Sequence, residues 1–232
     1  MAQRKTRPAA NTDEVVDVVE VKGSQISSDN FFEKNQKLIS YVLIGIALLA
    51  ALYFAYKYLY IGPREKDAAN AMYKAEEMFA KDSFALALEN PGGGFDGFLA
   101  IADNYSGTKA ANLAKYYAGV CYLNLGKYQE AVDYLEGYSA SDNVTSVTKT
   151  GALGDAYAEL GNKEKAMDLY KKAAGAADND VLTPYYMFKV AMMYQAEGKA
   201  KEAAEQLQSI KTKYPDSPEA NNAEKLLSRV EQ

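Results

Sequence analysis

The sequence predicts an all-α chain: an N-terminal single transmembrane helix, followed by an α-solenoid of paired helices with a C-terminal capping helix. Three observations predict it. A helix-turn-helix pattern recurs three times in register, with Gly126, Gly161 and Gly198 at its centres, 35 and 37 residues apart. The 19 residues from Leu38 to Tyr56 contain no charge. An amphipathic stretch follows the last repeat. Hairpins recurring at such a period cannot bury their apolar faces alone, so neighbours must stack.

The central repeat, Leu153 to Ala173, shows the grammar most fully. Leu153, Gly154, Tyr157 and Leu160 fall at helical spacing, Gly161 follows, and a second run carries Ala166, Tyr170 and Ala173. Small residues at 154 and 166 let the two helices approach closely, and the tyrosines fill the space beside them. Gly161 ends the first helix where a left-handed residue is needed. Gly119, Tyr122, Leu125, Gly126, Tyr128, Ala131 and Leu135 repeat the pattern upstream, and Ala191, Tyr194, Gly198, Ala203 and Leu207 repeat it downstream. It resembles the tetratricopeptide repeat, a hairpin of about 34 residues.

The uncharged run is long enough, at 1.5 Å per residue, to approach the ~30 Å thickness of a bilayer's hydrocarbon. Aromatics flank it, Phe31 and Phe32 before, then Tyr53, Phe54, Tyr56, Tyr58 and Tyr60, as at membrane interfaces. Lys57 can snorkel, so the span can continue through Ile61. The 37 preceding polar residues and the length of the run favour an uncleaved anchor over a signal peptide. Basic residues near the span do not orient it: Lys22, Lys34 and Lys37 precede it, and Lys57, Arg64, Lys66 and Lys74 follow. The six Lys/Arg of the whole short tail favour a cytoplasmic N-terminus with the repeats outside.

In order, residues 1–30 read as a disordered tail, with Val15–Val21 its only apolar run, and 31–62 as the anchor. Gly62-Pro63 is expected to break the helix. Residues 64–231 form the repeat domain. Its divergent first repeat, about 64–106, carries Ala68, Ala71, Met72, Ala75, Met78 and Phe79 on one face, a glycine-rich loop from Asn90 to Gly97, and a short helix from Phe98. Repeats then span about 113–138, 147–176 and 184–212, and Ser217 caps a last helix within 217–231.

The chemistry points away from catalysis. There is no histidine and one cysteine, Cys121, read as a small buried residue. Histidine-dependent nucleophilic catalysis is excluded, the commonest zinc ligand is missing, and no disulfide can form within the chain. The carboxylate pairs Glu76-Glu77 and Asp178-Asp180 have no convergent partners, and the glycine loop lacks the lysine of a phosphate site. No cofactor, metal or small-molecule substrate is expected. The net charge of −5 falls on the repeat domain, since the first 37 residues balance six bases with six acids, which argues against nucleic acid.

The layout of tail, anchor and repeats ending in Tyr214 to Ala220 resembles the YfgM-like proteins, membrane-anchored tetratricopeptide repeat subunits associated with the bacterial Sec translocon. The resemblance implies a non-enzymatic interaction module in the inner membrane with periplasmic repeats, whose partners are translocon subunits and a periplasmic chaperone or foldase. A scaffold for envelope assembly, or a cytosol-facing receptor of reversed topology, is the alternative. The repeat family lines its concave wall with the first helix of each repeat. Carried over, that pattern places Leu113, Tyr116, Val120 and Leu123, then Asp155, Ala158 and Glu159, then Tyr185, Phe188, Met192 and Gln195 in a protein-binding groove. Val120, Asp155 and Met192 stand where the family's carboxylate clamp has asparagine, which argues against binding chaperone tails.

Overall fold

The computed structural model describes residues 28–176 and 179–230; the tail assigned to 1–30 lies almost wholly outside them. The chain divides into two compact units, Met1–Leu52 and Tyr53–Gln232. All described secondary structure is helical. Helix α1 (Ser28–Ala55) holds the uncharged run. Leu38, Tyr41, Leu43, Ile44, Ile46, Leu48, Leu49 and Leu52 are each more than half exposed, and the segment is long and apolar enough to cross a membrane.

From Tyr53 the helix runs on without the break expected at Gly62-Pro63. A π-helical segment, Tyr56–Ile61, leads directly into α2 (Gly62–Phe79), and Gly62 is right-handed helical with φ −58° and ψ −50°. Its N–H bonds to the Lys57 carbonyl, five residues back. The widened turn gives the Pro63 ring room where an α-turn would press it against a carbonyl, so proline stands at the start of α2 without stopping the helix.

Helices α3 (Phe84–Glu89) and α4 (Phe98–Asn104) complete the first module with α2. Helix α3 is an addition to the pattern expected of the first repeat: its six residues are too few to show a period. The module's core joins Ala68, Met72, Ala75, Leu88, Phe98 and Ile101 to Ala114, Ala118 and Cys121 of α5 (Lys109–Asn124). Phe98 stacks on Tyr117 at 4.9 Å and Phe79 meets Tyr117 edge-on at 5.0 Å.

Three hairpins follow. Helix α5 pairs with α6 (Tyr128–Glu136), α7 (Asn143–Glu159) with α8 (Lys163–Ala176), and α9 (Leu182–Ala196) with α10 (Ala200–Lys213). Helix α11 (Pro218–Val230) covers α9 and α10. Gly126, Gly161 and Gly198 take φ of +74°, +78° and +73°, the left-handed conformation expected of them. Capping side chains start the helices: Thr108 accepts from the Ala111 N–H at 3.0 Å, Asp142 from Thr145 at 2.9 Å, and Ser217 from Ala220 at 3.2 Å.

Small residues set the helix separations. A β-carbon on Gly154 would lie 2.7 Å from the Tyr170 ring, and one on Gly119 would lie 2.6 Å from Leu135. The tightest case is Gly151, where a β-carbon would fall 2.1 Å from the Tyr186 ring, so glycine lets α9 seat its tyrosine on α7.

Candidate protein-binding groove

The first helices of the hairpins lie side by side, α5 beside α7 and α7 beside α9. The candidate residues all lie on these three helices. Glu159, Tyr185, Met192 and Gln195 are exposed there. The others are half-buried and partly committed to packing. Leu113 leans on the first module's core. Tyr116, Val120 and Leu123 cover Ala131, Val132, Leu135, Ala152, Leu153 and Ala156. Phe188 packs on Ala191, Leu207 and Ala223.

Leu123, Asp155, Ala158 and Glu159 meet around one cavity of about 300 Å³, whose wall is completed by Tyr128, Tyr170 and Lys189. Tyr185, Phe188, Met192 and Gln195 do not line it. Lys189 is the residue sequence reasoning missed. The signal was present: on a helix, position 189 shares a face with 185, four before, and 192, three after.

Lys189 donates to Asp155 Oδ1 at 2.6 Å, and the Tyr170 hydroxyl donates to the same oxygen at 2.6 Å. The ammonium also lies 5.2 Å from the Tyr185 ring centre and 5.4 Å from that of Tyr170. Burial pushes the Lys189 pKa down, but the hydrogen bond and charge of Asp155, with help from Tyr185, outweigh it and hold the amine above its ordinary value. Burial, then Asp155, drives the Tyr170 phenol far above its ordinary range; Tyr186 is raised by burial and by the same carboxylate. The Asp155 carboxylate is therefore charge-compensated. Glu159, exposed, is the acid this cavity presents to solvent.

This arrangement can hold and orient a chain. It offers a neutralised polar knot flanked by exposed apolar side chains, which suits a polypeptide segment with apolar anchors. Among the described residues, no group of three histidine, cysteine, aspartate or glutamate side chains could hold a metal. Cys121 is buried, and burial pushes its thiol up to about 12.

Family models of the tetratricopeptide repeat match residues 113–140 and 185–217, and a second such model matches 151–180. These segments fall on the three hairpins, so the chain carries a stack of tetratricopeptide repeats. Comparison with curated proteins gives no significant match. Repeats of this class commonly bind protein partners.

Proposed function

We propose that the chain is a membrane-anchored protein-interaction module and that the α5–α7–α9 face binds a segment of its partner. The observation that carries the anchor is the nakedness of α1. Nine large apolar side chains from Leu38 to Leu52 are more than half exposed. At ~2 kcal/mol each, leaving them in water costs roughly 18 kcal/mol, a cost that insertion into hydrocarbon removes. The tail of 1–30, the anchor of 31–62 and the repeat domain of 64–231 are the corresponding functional divisions.

The groove reading rests on exposed Tyr185 and Met192 beside the Asp155–Lys189 knot. We assign the groove to Leu113, Tyr116, Val120, Leu123, Asp155, Glu159, Tyr185, Phe188, Met192 and Gln195, with Lys189 added. The particular role, accessory to protein translocation with a chaperone or foldase held beside emerging chains, follows the resemblance of the layout to YfgM-like proteins. It places the N-terminus in the cytoplasm and the repeats in the periplasm.

Protease treatment of intact and of permeabilised cells tests the topology. Protection of the repeats in intact cells with loss only after outer-membrane permeabilisation supports the reading; protection until the inner membrane is breached reverses the topology and favours the cytosol-facing receptor. Crosslinking to translocon subunits separates the translocation role from an envelope-assembly scaffold, which would crosslink elsewhere.

A further inference from the structure

A hollow beside the π-helical segment is not used by the groove. It measures about 430 Å³, and Tyr53, Tyr56, Tyr58 and Ile61 give it mostly apolar walls. Two cations line it, Lys57 from the π-helical segment and Lys109 from the first turn of α5. The one carboxylate in the lining, Glu65, is already engaged: its two oxygens accept the N–H groups of Lys109 and Ala110 at 2.7 and 3.0 Å. The hollow therefore presents two exposed lysine side chains, Lys57 with its ammonium 6.0 Å from the Tyr53 ring centre, against one committed acid.

Its opening depends on Gly107, which has φ of +90°. A β-carbon there would come within 3.2 Å of Ile61 Cδ1 and 3.5 Å of the Tyr56 hydroxyl. The three tyrosines are each more than half exposed. Such rings, apolar in body and polar at the tip, are favoured where hydrocarbon gives way to headgroups, and a lysine at that depth meets phosphate.

We propose that this hollow seats an anionic phospholipid, with the headgroup phosphate between Lys57 and Lys109 and the upper acyl chain along Tyr53, Tyr56 and Ile61. The inference rests on the membrane-anchor reading and adds to it a specific lipid preference contributed in part by the repeat domain, through Lys109.

The chain has no tryptophan, so Tyr58→Trp supplies a single fluorophore in the hollow. The full-length protein is reconstituted into phosphatidylcholine vesicles containing equal fractions of brominated phosphatidylglycerol or of brominated phosphatidylcholine, and quenching gives the relative binding constant. The anionic lipid is expected to win by roughly fivefold if one lysine engages the headgroup and up to about thirtyfold if both do, at about 1 kcal/mol per interfacial lysine. Adding Lys57→Gln with Lys109→Gln should return the ratio to about 1, while Lys57→Arg with Lys109→Arg should keep the preference. Equal quenching by both lipids in the parent overturns the headgroup site and leaves the anchor standing. An anionic preference that survives the double glutamine variant overturns the assignment to these lysines. Absence of quenching by either lipid removes both this site and the anchor reading on which it rests.

Discussion

Asp155 on α7 and Lys189 on α9 are joined at 2.6 Å across two neighbouring hairpins, with the Tyr170 hydroxyl of α8 on the same carboxylate oxygen. One side chain thus ties three helices at the floor of the candidate groove. Removing it leaves a half-buried ammonium and a buried phenol without their acceptor, and the exposure that remains at Lys189 limits the loss. Asp155→Ala should cost about 1–2 kcal/mol, a fall in Tm of about 3–6 °C for a unit of this size. A double-mutant cycle with Lys189→Met checks it; additive effects would show that the pair is not coupled.

The glycines of the hairpins should separate into two kinds. At Gly151 an added methyl meets the Tyr186 ring. The clash should outweigh the ~1 kcal/mol that alanine gains over glycine in a helix and leave Gly151→Ala destabilised by about 2 kcal/mol. Gly175, on α8 with nothing within 4 Å of a β-carbon, should be neutral or gain up to about 1 kcal/mol as alanine. Urea midpoints of the two variants decide it, and destabilisation of both by the same amount would contradict the packing described.

Gly161 isolates the backbone contribution. It has φ of +78° and nothing near a β-carbon, so Gly161→Ala should cost about 1–2 kcal/mol through conformation alone, and Gly161→Asn less. Equal costs for alanine and asparagine would place the penalty elsewhere.

Stability should fall at alkaline pH. The Cys121 thiol is raised from near 9 to about 12 by burial, so the folded state favours the neutral form. Its contribution is complete below pH 9 and is lost as the pH rises from about 9 toward 12, because only the unfolded chain releases the proton readily. Tyr170 and Tyr186, raised by burial first, add losses above pH 10 in the same direction. Lys189, held above its ordinary value despite its burial, loses its contribution as its own proton leaves. Urea titrations at pH 8, 9.5 and 11 measure the slope; Cys121→Ala should reduce it in both segments, more in the second, where the losses from Tyr170, Tyr186 and Lys189 remain.

Glu65 links the first module to the repeats, since both its oxygens accept N–H groups at the start of α5. Arg64 beside it donates to the Asn104 carbonyl at the end of α4 and lies 4.9 Å from the centre of the Tyr60 ring. Each side chain satisfies a helix end of matching polarity. Glu65→Ala should cost about 1–2 kcal/mol and speed amide exchange in the first turn of α5. Unchanged exchange at Lys109 and Ala110 would contradict that role.

How far the sequence carried the fold follows from the range of each interaction. Gly126, Gly161 and Gly198 could be placed because a left-handed turn is a local demand, and Ser217 because a cap acts within one turn. Gly154 was found through the repeat pattern. Gly151 was not, because what makes it necessary is Tyr186, 35 residues away. Lys189 could be placed on the face of Tyr185 and Met192 by helical spacing, but its bond to Asp155, on another hairpin, could not be read from the sequence. The break expected at Gly62-Pro63 failed because proline's cost depends on the turn before it, and a π-turn lowers it. The candidate groove came from the repeat family's pattern carried over, and the split between exposed Tyr185 and Met192 and packed Phe188 needed the positions of α10 and α11.

The most direct test of the account is site-specific photo-crosslinking in cells, with a benzophenone side chain at Met192 on the candidate groove and, in parallel, at exposed Lys201 on α10 outside it. A groove formed by α5, α7 and α9 should give a discrete adduct from position 192 that is absent from 201 and is lost when Tyr185→Asp is added to a variant that still folds. Equal adducts from both positions, or an adduct from 201 alone, would contradict a groove formed by α5, α7 and α9.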